Sequence, residues 1–288
     1  MTKVGVIREI WRFPVKSMQG ATIESCAVSK SGAVGDRRWA MRDVERQEIQ
    51  WGKMHPALML CTARYRVEPS SDEIQQVDIT FPDGETIGSD DDRIHQKLSD
   101  LVGRTAELWP IQPASNHEFY KRYKPDEETF MGEMAQVFAR EGDEPMPDLS
   151  LFPETLMDYV SIPGTFFDNE ELNLLTTASL AHMQSKNSRA NWDVRRFRPN
   201  LYIETNDGLQ GLVENDWAGK TVKIGGATLK ITMPTPRCGM VVRPQDDIEF
   251  DKTILRTVVK DADQNLGVGA HCLEPGEIGV GDAVEVLD

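Results

Sequence analysis

The sequence predicts a mainly β protein of the α+β kind, with an amino-terminal β-barrel-like domain followed by a second β-barrel that carries a few helices. Three observations lead there. Short stretches of alternating apolar and polar residues recur along the chain, glycine- and proline-containing turns separate them, and one proline-rich acidic stretch divides two ordered halves. At 288 residues the chain can bury a full core in each half. The expected domains are 1–112 and 113–288, with 113–165 as a linker or lid-like insertion.

From Val4 to Phe13, Ile7, Trp11 and Phe13 share one parity and Arg8 and Arg12 the other, which predicts a half-buried strand with the arginines outside, ended by Pro14. Further extended segments are expected at Ala21 to Val28 and Cys61 to Val67. Val77, Ile79 and Phe81 alternate with Asp78 and Thr80, and Pro82-Asp83-Gly84 turns the chain back toward Thr86-Ile87, a hairpin. Ile94, Leu98, Leu101 and Val102 are spaced for a helix that starts near Ser89 and Asp90 and stops at Gly103.

The stretch from Pro113 to Pro163 holds six prolines and the acidic runs Asp126-Glu127-Glu128 and Glu141-Gly142-Asp143-Glu144, with a short helix expected at Thr129 to Arg140. Beyond it, Leu172 to Leu175 reads as a buried strand and Thr177 to Lys186 as a threonine-capped helix. Leu201-Tyr202-Ile203 is a strand. Gly225-Gly226 turns Thr221–Ile224 into Ala227–Ile231. The end, Ile278 to Val286 around Gly281-Asp282, predicts another such hairpin.

Acidic residues outnumber basic ones, 47 to 32, and a formal charge of -15 repels a phosphate backbone, so no nucleic acid is expected as a partner. No apolar run of membrane-spanning length and no leader-like amino terminus is present, so no membrane association is expected and the location expected is cytoplasmic. Cys26, Cys61, Cys238 and Cys272 form no CxxC pair, which argues against a zinc knuckle or a thioredoxin-type motif. Any one of them, taken alone, is by default a small buried hydrophobe.

Four segments carry chemistry. Pro14-Val15-Lys16-Ser17 puts a cation and a hydroxyl at a sheet rim, where oxyanions bind. In Gly35-Asp36-Arg37-Arg38-Trp39 the aspartate is placed to pin one guanidinium while the other faces an anion; a surface ion pair is the plainer account. Arg189, Arg195, Arg196 and Arg198 crowd the approach to Pro199-Asn200, a local charge reversal suited to an anionic cofactor or, equally, to pairing with the protein's own carboxylates. Pro234-Thr235-Pro236-Arg237-Cys238-Gly239-Met240 sets Cys238 in an irregular loop beside a cation, the kind of place where thiolates are reactive and bind soft metals. There is no GxGxxG, GxxxxGK or HExxH motif.

These segments, with Leu174-Leu175-Thr176-Thr177-Ala178-Ser179-Leu180 and Ile278-Gly279-Val280-Gly281-Asp282, resemble in content and order the MOSC family, named for the carboxyl-terminal domain of molybdenum cofactor sulfurases, with its amino-terminal β-barrel domain in front. Within it the arrangement is similar to the mitochondrial amidoxime-reducing component and its bacterial relatives. That resemblance implies a molybdenum cofactor (Mo-molybdopterin) oxidoreductase that removes oxygen from small N-hydroxylated substrates. It implies that Cys238 is the metal ligand and the catalytic residue. Lys16, Ser17, Arg37, Arg198, Asn200 and Arg237 would hold the pterin and its phosphate, with Thr176 and Thr177 in a further cofactor-contacting stretch.

Bacterial relatives often carry a fused ferredoxin-like domain after these strands. The sequence ends at Asp288 instead, so a separate electron donor, a ferredoxin, flavoprotein or haem protein, is expected. Gly269 stands where relatives have a tyrosine, which alters the expected pocket. The alternative function is a non-catalytic sulfur or cofactor carrier using a persulfide on Cys238; a binding module that has lost the metal is a third.

Overall fold

The computed structural model describes residues 1–71, 73–123 and 130–287; Pro125, the run Asp126–Glu128 and Thr129 lie outside the described residues. Seven strands close a barrel: β1 (Thr2–Arg12), β2 (Leu172–Thr176), β3 (Leu201–Thr205), β4 (Thr221–Ile224), β5 (Ala227–Pro236), β6 (Asn265–Glu274) and β7 (Ala283–Leu287). Around the barrel the order is β3-β2-β6-β5-β4-β7-β1, and β1 returns to pair with β3. Only the β2–β3 pairing is parallel. A parallel pair needs a crossover, here the helix Thr177–Lys186, whose first turn is capped by Thr176 accepting from the Ser179 amide at 3.1 Å.

The barrel interior is filled by Ile7, Ile10, Leu174, Ile203, Val222, Leu229, Ile231 and Val268, each at most 1% exposed. Ile7 and Ile10 are three residues apart, which a regular strand would send to opposite faces. The pairing of β1 with β3 slips between Ile7 and Glu9, a bulge that reverses parity. Hence Arg12, expected outside, is buried and donates to both carboxylate oxygens of Glu68, at 3.2 and 2.7 Å.

The first strand therefore belongs to the barrel built from residues 172–287, and Ser25–Ser29 pairs with Gly276–Gly279. The expected terminal hairpin is corrected in the same way. Gly276–Gly279 and Ala283–Leu287 are both strands, but the second pairs with β1 and β4 rather than with the first. After β1 the chain pairs back onto it through Ala21–Ile23, and residues 39–110 form small sheets around a second core of Val15, Met18, Leu58, Ile79, Ile94 and Leu98. The expected helix there runs Arg93–Val102, begins at Asp92 and ends on Gly103 at φ 71°.

The proline-rich stretch folds as short helices, among them Phe130–Phe138, over a third core that includes Phe119, Tyr120, Met134, Val137, Phe138 and Phe166. Helices Thr177–Lys186 and Lys252–Asp261 pack on the barrel through Leu180, Met183, Ile254, Leu255 and Val258. A cavity of about 640 Å³ opens where barrel, amino-terminal sheets and insertion meet.

Candidate functional site

The cavity is lined by Lys16, Ser17, Arg37, Arg198, Arg237 and Cys238, so six residues singled out in four distant segments come together. Among the described residues, seven cationic side chains line it against three carboxylates, in a chain whose net charge is -15. Such a reversal concentrates anions at the cavity.

The backbone holds this cluster in an unusual conformation. Ser17 (φ 70°), Arg37 (φ 47°) and Arg198 (φ 50°) all lie in the left-handed region that non-glycine residues avoid. Strain of about 1–3 kcal/mol per residue persists only where the surroundings over-determine it, and it clusters at functional sites. The surroundings here are specific. Where β1 ends, the Lys16 amide donates to the Trp39 carbonyl at 2.8 Å, and the Arg37 amide to the Phe13 carbonyl at 2.7 Å. The Gly52 amide donates to Ser17 Oγ at 2.7 Å.

Each cation has its own partners. Lys16 Nζ donates to the Phe166 carbonyl at 2.8 Å and to Asp168. Lys53 meets the other oxygen of Asp168 at 3.1 Å. Burial pushes the Lys16 ammonium below its ordinary pKa, with Asp168 working against it. Burial alone would raise Asp168, but the two lysines hold its carboxyl well below the usual range. Arg37 is pinned by the fully buried Asp36 carboxylate, which makes this pair an internal one, not a surface bridge. Its guanidinium lies over the Phe13 and Phe167 rings.

Arg198 is the least compensated. It stacks 4.2 Å from the Phe13 ring centroid and donates from Nη1 to the Met18 carbonyl at 2.7 Å, while its buried Nη2 has no hydrogen-bond partner. Burial, then the neighbouring Arg37 charge, push its pKa down to about 9. A buried donor with no acceptor is costly, and an anion bound in the cavity would supply one.

Arg237 does different work. Its donors go to the carbonyls of Leu266 (2.7 Å) and Phe197 (2.9 Å), so it braces the loop that carries Cys238. Cys238 is half-buried in extended backbone (φ -108°) just before the turn Gly239–Val242. The other three thiols are buried; burial pushes Cys26 up to about 11 and Cys61 up to about 12. Only Cys238 among the four lines the cavity, and no histidine lines it with Cys238, which leaves a Cys–His nucleophile pair without its base.

Three expected contacts lie elsewhere. Thr176 is buried as the helix cap and donates to Glu214 at 2.7 Å; Thr177 shares a hydrogen bond with Thr205 at 3.1 Å. Asn200 accepts from the Asn173 amide at 3.1 Å and donates to the Trp11 carbonyl at 3.4 Å, tying strands together. None of the three lines the cavity. The arginine cluster also separates. Arg196 reaches the lining but spends its donors on three carbonyls, Arg195 pairs with Asp193 and Asp247, and Arg189 is exposed. Lys53, Asp168, Trp51 and Arg122 were not anticipated; none belongs to a motif, and only the fold brings them to the cavity.

The proline-rich stretch lines the cavity mostly through apolar side chains, Phe130, Met134, Val137, Phe138, Phe152 and Leu156, with Arg122 and Glu154 among them. A polar floor that fixes an anion and an apolar wall that fits an organic body are the two halves of a small-molecule site.

Residues 4–111 match the MOSC N-terminal beta barrel domain and residues 163–285 the MOSC domain. The chain belongs to the MOSC family. The MOSC domain is associated in general with molybdenum cofactor binding. Among solved structures, the chain is similar to YuaD from Bacillus subtilis (9% identity, 98% of this chain and 95% of that one, TM-score 0.44). It is also similar to YiiM from Geobacillus stearothermophilus (14% identity, 41% of this chain, TM-score 0.30) and YiiM from Escherichia coli (13%, 41%, TM-score 0.31). The matched part spans 55% of each YiiM chain. No curated protein sequence matches the chain. No helix among the described residues is long and apolar enough to cross a membrane.

Proposed function

We propose that this protein is a molybdenum-cofactor oxidoreductase that removes oxygen from small N-hydroxylated compounds, with Cys238 as the thiolate ligand of the metal. The observation that carries this reading is the company of Cys238: it is the one thiol of the four that lines this cavity, and the cavity's cations include the guanidinium of Arg198 with a buried donor left unpaired. The donor set fits the group. A soft thiolate suits molybdenum bound to a pterin dithiolene, and fixed planar forks suit the pterin's phosphate.

Arg198, Arg37, Lys16 and Ser17 would hold the phosphate and pterin, and Arg237 would keep the Cys238 loop in place. When bound, the cofactor supplies the two-electron redox chemistry. The chain's own contribution is orientation and exclusion of water. Phe138 and Phe152, packed edge to face at 6.4 Å, and Met134 would give the substrate an apolar lining. A cytoplasmic location belongs to the same reading, supported by the four free thiols, which suit a reducing compartment. Electrons would come from a separate donor, a ferredoxin, flavoprotein or haem protein.

The test is elemental analysis of the full chain from a host that makes the cofactor, with reduction of a benzamidoxime-type substrate by reduced viologen. Wild type should hold near-stoichiometric molybdenum and turn over. Cys238→Ala should keep its fold by circular dichroism and lose turnover entirely. Full activity in that variant, or a wild-type protein without molybdenum, sinks the proposal. A second reading, a carrier with a persulfide on Cys238, draws on the same half-buried thiol and predicts one added sulfur by mass spectrometry with little metal.

A further inference from the structure

If the cavity reduces N-hydroxylated compounds, the reaction consumes protons as well as electrons. R–NHOH takes two electrons, delivered from a reduced electron-transfer protein, and two protons; the N–O bond breaks and the products are R–NH2 and water. The cations around Cys238 are poorly suited to supply those protons. Arginine does not give up its proton in this range, and Lys16 and Lys53 are both held on Asp168.

Another part of the cavity wall differs. Glu170 lines the cavity beside Gly269 of β6, and a Cβ on residue 269 would sit 2.4 Å from Glu170 Cγ. Glycine at 269 is thus what lets the Glu170 side chain lie against this strand. His271 is two residues further along β6 and so on the same face as Gly269. Its ring Nε2 lies 3.1 Å from the Glu170 carboxylate and its Nδ1 meets Glu171. Glu170 is largely buried, with 14% of its side chain exposed, whereas His271 is 49% exposed. One end of this pair touches solvent and the other touches the cavity.

We propose that His271 and Glu170 form a proton relay from solvent to the substrate cavity, His271 taking protons from water and Glu170 passing them to the hydroxyl oxygen as the N–O bond breaks. This rests on the reading of the cavity as the site of N-hydroxylated substrate reduction. The groups facing the pair are few. Glu171 is on Glu170's own segment and Thr232 lies toward it from β5. Lys230, paired with His271 in register, turns its ammonium to the Gly219 carbonyl, and Lys30 donates to the carbonyls of Cys272 and Leu273. Burial raises Glu170 above the ordinary carboxylate range, with the His271 charge opposing, which brings it toward the pH where a general acid works best.

The test uses the molybdenum-loaded full chain. Glu170→Gln and His271→Ala should each lower kcat about 100-fold or more, with KM and molybdenum content unchanged, and added imidazole should restore much of the rate to His271→Ala alone. Gly269→Ala, which crowds Glu170, should lower kcat in the same direction. A second readout needs no turnover: an infrared pH titration should show one fewer protonated carboxyl above the ordinary glutamate range in Glu170→Gln than in wild type, with buried Glu214 contributing equally to both. Wild-type kcat in Glu170→Gln, or a loss confined to KM, overturns the relay. So does a divalent cation held stoichiometrically by Glu170, Glu171 and His271, whose ligand atoms lie within 4.8 Å of one another. If no preparation reduces N-hydroxylated compounds, the functional reading fails by itself; an infrared titration in which Glu170 behaves as an ordinary glutamate then overturns the relay separately.

Discussion

The two sides of the cavity are built on different principles. The polar floor hangs on the barrel. Its residues follow β1 and β5 and precede β3, three of them in left-handed backbone, and their side chains are fixed by carbonyls and buried carboxylates. The apolar wall comes from the insertion and is held by ring packing, such as Phe138 on Phe152 and Phe119 on Tyr120 at 5.2 Å. Directional hydrogen bonds specify one geometry, whereas apolar contacts tolerate changes of shape at modest cost. The floor is therefore suited to one anionic group, and the wall to whatever substrate the protein meets.

That contrast is broken most severely at Arg198. Arg198→Met keeps an apolar side chain over Phe13 and removes a buried cation whose Nη2 is unpaired, at the loss of one bond to the Met18 carbonyl. Removing an uncompensated charge offsets the lost hydrogen bond, so cofactor-free stability should move by no more than about 1 kcal/mol. Molybdenum content should fall about tenfold or more, as expected when a charge-assisted phosphate contact is lost. Thermal unfolding and elemental analysis read the two effects separately. A variant that unfolds early but keeps its metal would place Arg198 in the scaffold rather than the floor.

The wall should respond in the opposite sense. Phe138 is 6% exposed, and Phe138→Ala removes a ring from both the insertion core and the cavity lining. Stability should drop by about 3 kcal/mol, at the lower end of large aromatic truncations. Molybdenum content should stay near wild type while KM rises several-fold. Urea unfolding with a KM measurement decides it, and loss of metal in proportion to stability would merge the two sides into one structural unit.

How far the sequence foretold these sides follows from what each is made of. The floor was legible at Lys16, Arg37, Arg198 and Cys238 because each sits at a strand end marked by proline or glycine, in an order that resembles the MOSC family. Gly103 and the pair Gly225-Gly226 likewise announced a helix end and a hairpin that the structure contains. Lys53, Arg122 and Asp168 carry no such mark; long-range packing alone brings them in. The β1 bulge inverted the reading of Arg12, because one inserted residue changes every parity after it. Strand β6 escaped notice because Leu266 to Ala270 is buried throughout and shows no alternation. At the end of the chain the turn chemistry was present at Gly281-Asp282, but which strands pair across it is a property of the barrel.

Thr176 marks the smallest effect, outside both sides. Its hydroxyl and that of Ser179 donate to one oxygen of the fully buried Glu214, at 2.7 and 2.5 Å, while the other oxygen has no partner. Burial raises the Glu214 pKa, with those hydroxyls opposing. The folded state thus holds this proton to higher pH than the unfolded chain, so the stability Glu214 contributes is full below the unfolded value near about 4.3 and is lost as pH rises through the folded value. Asp168 has the reverse sign, because two lysines depress it and its contribution is lost as pH falls. Glu214→Gln retains an oxygen for both hydroxyls and removes the ionisable group. Its stability relative to wild type should increase with pH above the ordinary glutamate range, by about 1 kcal/mol at neutral pH. Chemical denaturation across that range measures it. Because the cavity does not use Thr176, metal content should not change; if it does, the helix cap belongs with the floor after all.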